Sequence, residues 1–435
     1  MTAEAVVMNK SAVAMAADSA VTISGGRRGI KTYDTVNKLF ELIKGVPVGV
    51  MVYANAELSG MPWETIIKSY REERREVKFD TLEEYAENFT EYLSSDGGML
   101  GKENDEYTAV SRAHAAFMIV FAQIKKDLPG CLTSNGRIIK TKFRQVIQRA
   151  IDKLAEEVDS MPKAPWADGT TLRQLKSAYE GAVLHLAEDL FENFELTKAQ
   201  KSKLVATALE SLRRSQREAG SSGLVVAGFG QKDYFPKVVS STISGRTLGV
   251  LRATPLSVNE ITISSPGHLE TFAQDEMAWG FLSGINERVR KSIMDHWSQW
   301  IDVSGSVMRE RISKEIPELT PEQLAIVEES AKESTHERFH EFLEEMQRRE
   351  EELYLEPIWQ SIAMLPKDEL GVVAESLVNL TSLKQRMSIH DAQTVGGPID
   401  VALISRGDGF VWIKRKHYFS PELNPAWHLT HHGNL

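Results

Sequence analysis

The pattern of apolar and polar positions changes character several times along the chain. Ala5–Met8 and Ala12–Ala17 are short apolar runs joined by polar Asn9–Ser11, which predicts a β-hairpin. After the glycine-rich stretch Ser24–Gly29, Val36–Leu42 and Val46–Tyr53 predict a second hairpin around Lys44-Gly45. These runs are apolar at successive positions, so their sheet is expected to be covered on both faces. Pro62 suits the first turn of a helix reaching about Tyr70.

From Thr81 to Ala219 a helical period takes over, predicting helices over Glu106–Leu128, Ile138–Val158, Leu172–Phe194 and Lys198–Ala219, the last capped by Thr197. Pro129-Gly130 and Met161–Asp168 separate them. Strand patterns return at Leu224–Phe229, Tyr234–Ile243, Leu248–Leu256 and Ile261–Ser264, and a helix is expected from Gly267 to Gly284. A second helical block follows over Asn286–Glu356. Within it Thr320-Pro321-Glu322 is a helix start, and Leu324, Val327, Ala331, Phe339, Phe342 and Met346 form an apolar stripe. Asp368–Met387 reads as an amphipathic helix, Ile399–Ile404 and Phe410–Lys416 as closing strands, and the tail with Pro421 and Pro425 as irregular.

The order of strand pairs and helices predicts an α+β fold, a two-sheet sandwich with helices on both outer faces. The corresponding division is a core in three parts (1–75, 222–285 and 366–419), a helical insertion (76–221), an acidic helical insertion (286–365) and an irregular tail (420–435). No repeat of fixed period is present.

Composition narrows the function classes. The 435 residues are 42% hydrophobic, enough for packed cores, with a formal charge of −10 that argues against a nucleic-acid partner. Residues 322–356 hold much of that excess, twelve Glu against Lys332, Arg338, Arg348 and Arg349, as a solvated helix face or an electrostatic docking surface. The single Cys131 excludes an internal disulfide. No apolar run has the length of a membrane span, and the first residues lack a basic start and cleavage site. A soluble, cytoplasmic protein without a membrane partner is the expectation.

Candidate chemistry begins at the N-terminus. Met1 precedes Thr2, a residue small enough for the methionine to be removed. A terminal threonine combines a hydroxyl nucleophile with its own α-amine as base. That amine titrates near 7.7–8.0, and a nearby lysine held by a carboxylate would lower the value. Asp18 and Lys38 are suited to those parts, and Asp391 and Thr394 stand before the last strand pair in DAQTVGGPIDV.

At these residues the sequence resembles the proteasome β-subunit and the wider N-terminal-nucleophile hydrolase family. AVAMAADSAVT is similar to the strand bearing the family's catalytic aspartate, at the family's spacing from the terminal threonine. VNKLFELIKGVPVGVMVYANAE is similar to the lysine strand and its successor, and DAQTVGGPIDVALISRGDGFVWI to the aspartate, hydroxyl and double-glycine segment. LVVAGFG and FPKVVSSTISG match the central strands more loosely.

The resemblance implies a four-layer αββα sandwich with two large helical insertions and a threonine peptidase activity. Thr2 would be nucleophile and base, Lys38 would tune the amine, Asp18 would hold the lysine, and Asp391 and Thr394 would orient the amine. A backbone N–H near Tyr53 or Ala54 would line the oxyanion hole. Peptide or protein substrates, a homo-oligomeric ring or stacked assembly, and no cofactor are further implications; any ATP-driven step would need a separate unfoldase. The chain departs from the family at Tyr53-Ala54-Asn55, at Gly25–Arg28, at Gly267-His268 in place of a Gly-Ser pair beside the nucleophile, and at the inserted Val395. A silent scaffold of the same fold, and an amidase for small molecules, are the alternatives.

Other patterns compete weakly. His336-Glu337-Arg338-Phe339-His340 fits the zinc-protease pattern H-E-x-x-H, but Arg338 and a charged helix make a poor setting. His428, His431 and His432 suit adventitious metal binding, and Gly228-Phe229-Gly230 lacks the third glycine of a dinucleotide fingerprint.

Overall fold

The computed structural model describes residues 3–24, 30–95, 99–214, 220–273, 276–387, 395–417, 419 and 423–424. The chain opens with β1 (Ala3–Asn9), β2 (Ala12–Ala17), β3 (Val21–Ser24), β4 (Ile30–Tyr33), β5 (Leu39–Glu41), β6 (Val48–Tyr53), β7 (Glu57–Leu58) and β8 (Met61–Pro62). Helices follow: α1 (Trp63–Glu73), α2 (Leu82–Ser94), α3 (Lys102–Asp127), α4 (Lys140–Ser160), α5 (Leu172–Leu190) and α6 (Lys198–Ser211). Strands resume with β9 (Ser222–Gly228), β10 (Lys237–Thr247), β11 (Val250–Ala253), β12 (Ser257–Glu260) and β13 (Gly267–Ala273). Next come α7 (Glu276–Ser283), α8 (Glu287–Glu315), α9 (Pro321–Glu350), α10 (Glu356–Met364) and α11 (Lys367–Met387), and the chain closes with β14 (Asp400–Ser405) and β15 (Gly409–Lys414). The protein is thus a mixed α/β chain of antiparallel sheets and many helices. No described helix is long and apolar enough to cross a membrane.

The chain divides into two compact units, residues 1–35, 261–405 and 411–435 in the first and 36–260 and 406–410 in the second. The sheet associated with the first unit runs β13-β1-β2-β14-β15. Every residue of β1 and β2 is buried, as their unbroken apolar runs predict. Ala5, Val7, Ala12, Ala14 and Ala16 on one face pack with Leu370, Ala374, Leu377 and Val378 of α11. Alanine keeps this face flat, so a helix approaches closely.

In the second unit the sheet runs β11-β10-β9-β6-β5, with β12 also on β10. Val48, Val50, Leu224 and Val226 meet larger side chains, Trp63, Ile67 and Tyr70 of α1 and Tyr85 and Phe89 of α2. The four helices α3–α6 build a separate core around Phe117, Ile151, Val183 and Leu204. A polar joint fixes that bundle to the β10–β11 turn. Gly249 N–H donates to Asp105 Oδ2 at 2.8 Å and Leu248 N–H to the Tyr179 hydroxyl at 2.8 Å. Burial raises the Tyr179 phenol above its ordinary pKa.

Several expectations need correction. Gly267–Ala273 is a strand: it pairs with β1 along its length in unbroken register, which puts His268, Glu270 and Phe272 on one side and Leu269 and Thr271 on the other. The helix begins only at Glu276. The strand expected at Ile261–Ser264 lies earlier, at Ser257–Glu260 against β10; Thr262 and Ser265 form a turn instead. The Gly-rich stretch near residue 25 is flanked by a pairing that the pattern did not suggest, β3 with β4.

Candidate active site

Asp18 follows directly on β2 and is 1% exposed. Its N–H donates to Ala3 O at 3.1 Å, carrying the β1–β2 pairing one step further. Its carboxylate takes three backbone donors. Oδ1 accepts from Ala3 N–H at 3.2 Å, and Oδ2 from Ala20 N–H at 3.3 Å and Gly396 N–H at 3.0 Å. A carboxylate removed from water needs such donors, and backbone groups supply them without side-chain entropy. Ala3 N belongs to the amide that links residue 3 to Thr2, and Gly396 lies two positions beyond Thr394. Asp18 therefore joins the chain segments next to two expected site residues. Thr2, Asp391 and Thr394 themselves lie outside the described residues.

The 395–398 segment is held from several sides. Ser19 N–H donates to Gly396 O at 3.2 Å and the Ser19 hydroxyl to Pro398 O. Val395 N–H donates to Gln385 Oε1 at 2.8 Å. The valine that departs from the family pattern is 1% exposed and belongs to the core beneath the sheet. Gly397 has φ +74°, and a Cβ there would lie 2.8 Å from Asp34 Cβ, so only glycine fits both conformation and space. Next in sequence, buried Asp400 pairs with the partly buried Lys416, whose N–H also donates to Asp400 Oδ1 at 2.8 Å. Neither residue stood out in the sequence, because only the β14–β15 pairing brings them together.

On the other side of β1, Ala3 pairs with Ala273, the last residue of β13. Ala273 has φ +68°, a left-handed conformation that costs an L-residue about 1–2 kcal/mol. His268 lies elsewhere. It pairs with Met8, five residues along β1 from Ala3, roughly 17 Å at about 3.4 Å per residue. Its Nε2 stands 3.5 Å from Glu270 Oε2. The strand register thus sets His268 five positions along β1 from the end that adjoins Thr2.

Lys38, Tyr53 and Ala54 belong to the second unit. Lys38 is 5% exposed, just before β5, and its carbonyl accepts from Val52 N–H at 3.0 Å. Tyr53 ends β6 opposite Gly223. Its ring covers that glycine so closely that a Cβ on residue 223 would fall 1.8 Å from the ring. Ala54 is exposed with φ +70°. The turn is held in this conformation by its neighbour: Asn55 Nδ2 donates to Gly220 O at 2.9 Å, and Asn55 O accepts from Ser222 Oγ at 3.3 Å. Trp63 Nε1 in turn donates to Ser222 Oγ at 2.8 Å. A strained, braced turn with exposed backbone is the kind of element that presents N–H groups to a developing oxyanion.

His336 and His340 share an exposed face of α9, with their Nε2 atoms 3.1 Å apart. Among the described residues no group of three or more His, Cys, Asp or Glu side chains is arranged to hold a metal ion.

Comparison with known proteins adds little. No family model and no curated protein matches the sequence. A structure of an Anbu (Gly-1) mutant from Hyphomicrobium sp. strain MC1 aligns over 100% of this chain and 96% of its own, at 9% identity and a TM-score of 0.26. At that score the alignment defines neither fold nor activity.

Proposed function

We propose that the chain is an N-terminal threonine hydrolase with a proteasome-like four-layer fold, cleaving amide bonds in peptides or proteins. The observation that carries this reading is the Asp18 carboxylate, which accepts from both Ala3 N–H and Gly396 N–H and so binds together the neighbours of Thr2 and Thr394. The resemblance of the flanking sequences is the second support. After loss of Met1, the Thr2 hydroxyl attacks the scissile carbonyl while its α-amine takes the proton. The amine then activates the water that releases the acyl group. Lys38 lowers the amine's pKa, Asp18 fixes that arrangement, and Asp391 and Thr394 orient the amine. The strained turn at Tyr53 and Ala54 supplies the oxyanion donor. Assembly into a homo-oligomer belongs to the same reading.

Intact mass before and after a β-lactone or epoxyketone probe tests it, with Thr2→Ala as control. The expected result is loss of Met1 and one adduct that disappears in Thr2→Ala. Retained Met1 on protein from its native source would overturn the mechanism and leave a scaffold of the same fold. An adduct without turnover of any peptide would shift the substrate to a small amide.

A further inference from the structure

Helix α8 carries two apolar stripes, and α9 occupies one of them. Trp297 stacks on Phe339 and Phe342, with ring centroids 5.4 and 5.8 Å apart. Gly305 lets the helices approach so closely that a Cβ would lie 2.4 Å from Glu328 O. Arg290 and Arg309 bind Glu350 and Glu328 across the same seam, at 2.6 and 3.0 Å.

The second stripe is Val289, Ile293, His296, Trp300, Val303 and Val307, recurring at alternating steps of four and three. This is the 3.5-residue period of a coiled-coil seam. Most of it is open: Val289, Trp300, Val303 and Val307 are 52%, 50%, 44% and 49% exposed and His296 is exposed, while Ile293 is partly buried. A half-exposed tryptophan inside a heptad seam is unusual for a solvated face.

We propose that this stripe joins two copies of the chain, α8 packing antiparallel on α8 of a second copy. The stripe is self-complementary under a twofold axis at the level of Ser298. Val289 then faces Val307, Ile293 faces Val303, and His296 faces Trp300. Each layer recurs in reverse on the other side of the axis, as an isologous contact requires. The flanks suit the same partner. Ser292, Gln299 and Ser306 border the stripe on one side, and on the other Arg290 is already paired to Glu350. Two copies therefore meet without opposing like charges. The outer face of α9, rich in glutamate, offers a second copy no such match.

The stripe extends about 27 Å along the helix at 1.5 Å per residue. Pairing it buries on the order of 1,000 Å² in total, near the minimum for a specific interface, so association is read over a range of concentrations rather than at one.

Sedimentation of the full-length protein across micromolar concentrations tests the proposal, with the double variant Trp300→Glu/Val303→Glu as comparison. The wild type is expected to associate. The variant, with unchanged far-UV circular dichroism, is expected to associate at least tenfold more weakly, or to form particles with half as many copies where other surfaces also join. A separate Gln299→Cys protein is expected to crosslink to itself with a short bismaleimide, while the wild type, whose Cys131 is buried, does not. A protein monomeric at every concentration, or association unchanged in the double variant, would overturn the α8 contact. Association lost in the double variant without a Gln299→Cys crosslink would overturn the antiparallel register.

Discussion

The helical bundle α3–α6 and the longer hairpin α8–α9 manage their apolar residues differently. In the bundle Phe117, Ile151, Val183 and Leu204 are fully buried, and Phe117, Phe191 and Phe194 interlock edge to face at 5.9 and 5.5 Å. In the hairpin, Gly305 and Phe339 alone are buried among the described residues of its two helices. Geometry explains the difference. Four helices enclose an interior, so each can bury a broad face. Two helices share a single seam, and any apolar residue beyond it faces outward. Apolar spacing does not separate the two blocks, since both contain aromatic and aliphatic side chains at helical intervals. The difference teaches that an exposed stripe arises from the number of neighbours, and that its persistence asks for a neighbour from outside.

Substitutions can break or sharpen this contrast. The largest expected effect is Phe117→Ala, which opens a cavity where four helices meet and costs about 3–5 kcal/mol of stability in urea unfolding. Phe339→Ala removes the partner of Trp297 from a shallower seam that can partly collapse, so about 2–3 kcal/mol is expected. That loss should appear as faster hydrogen exchange over 287–350 with little change in the bundle. Equal acceleration in both blocks would show that the hairpin is not an independent element. The smallest effect belongs to Trp300→Ala, below about 0.5 kcal/mol for the single chain, read by urea unfolding at submicromolar concentration. A larger cost there would mean that the stripe already packs within one chain.

Much of the local structure was legible. Thr197 and Thr320 cap their helices through boxes closed by Gln200 and Gln323, as short-range signals allow. The Asn9–Ser11 hairpin formed as the two apolar runs suggested. Gly267–Ala273 was misread because its seven-residue partner, β1, lies more than 250 positions earlier. The same distance hides the pairing of His268 with Met8, which its place beside Gly267 in the sequence does not show.

The sequence by itself determined where the capped helices and the first hairpin form, because capping, alternation and turn residues act over a few positions. It also marked Asp18 and the double glycine as unusual. Only the tertiary structure decided what they contact. Asp18 meets donors from residues 3 and 396, and Gly397 is required by the approach of Asp34. Such contacts depend on how strands distant in sequence are ordered in a sheet, which no local pattern encodes. The same holds for α8, whose two stripes look alike until α9 covers one and leaves the other open.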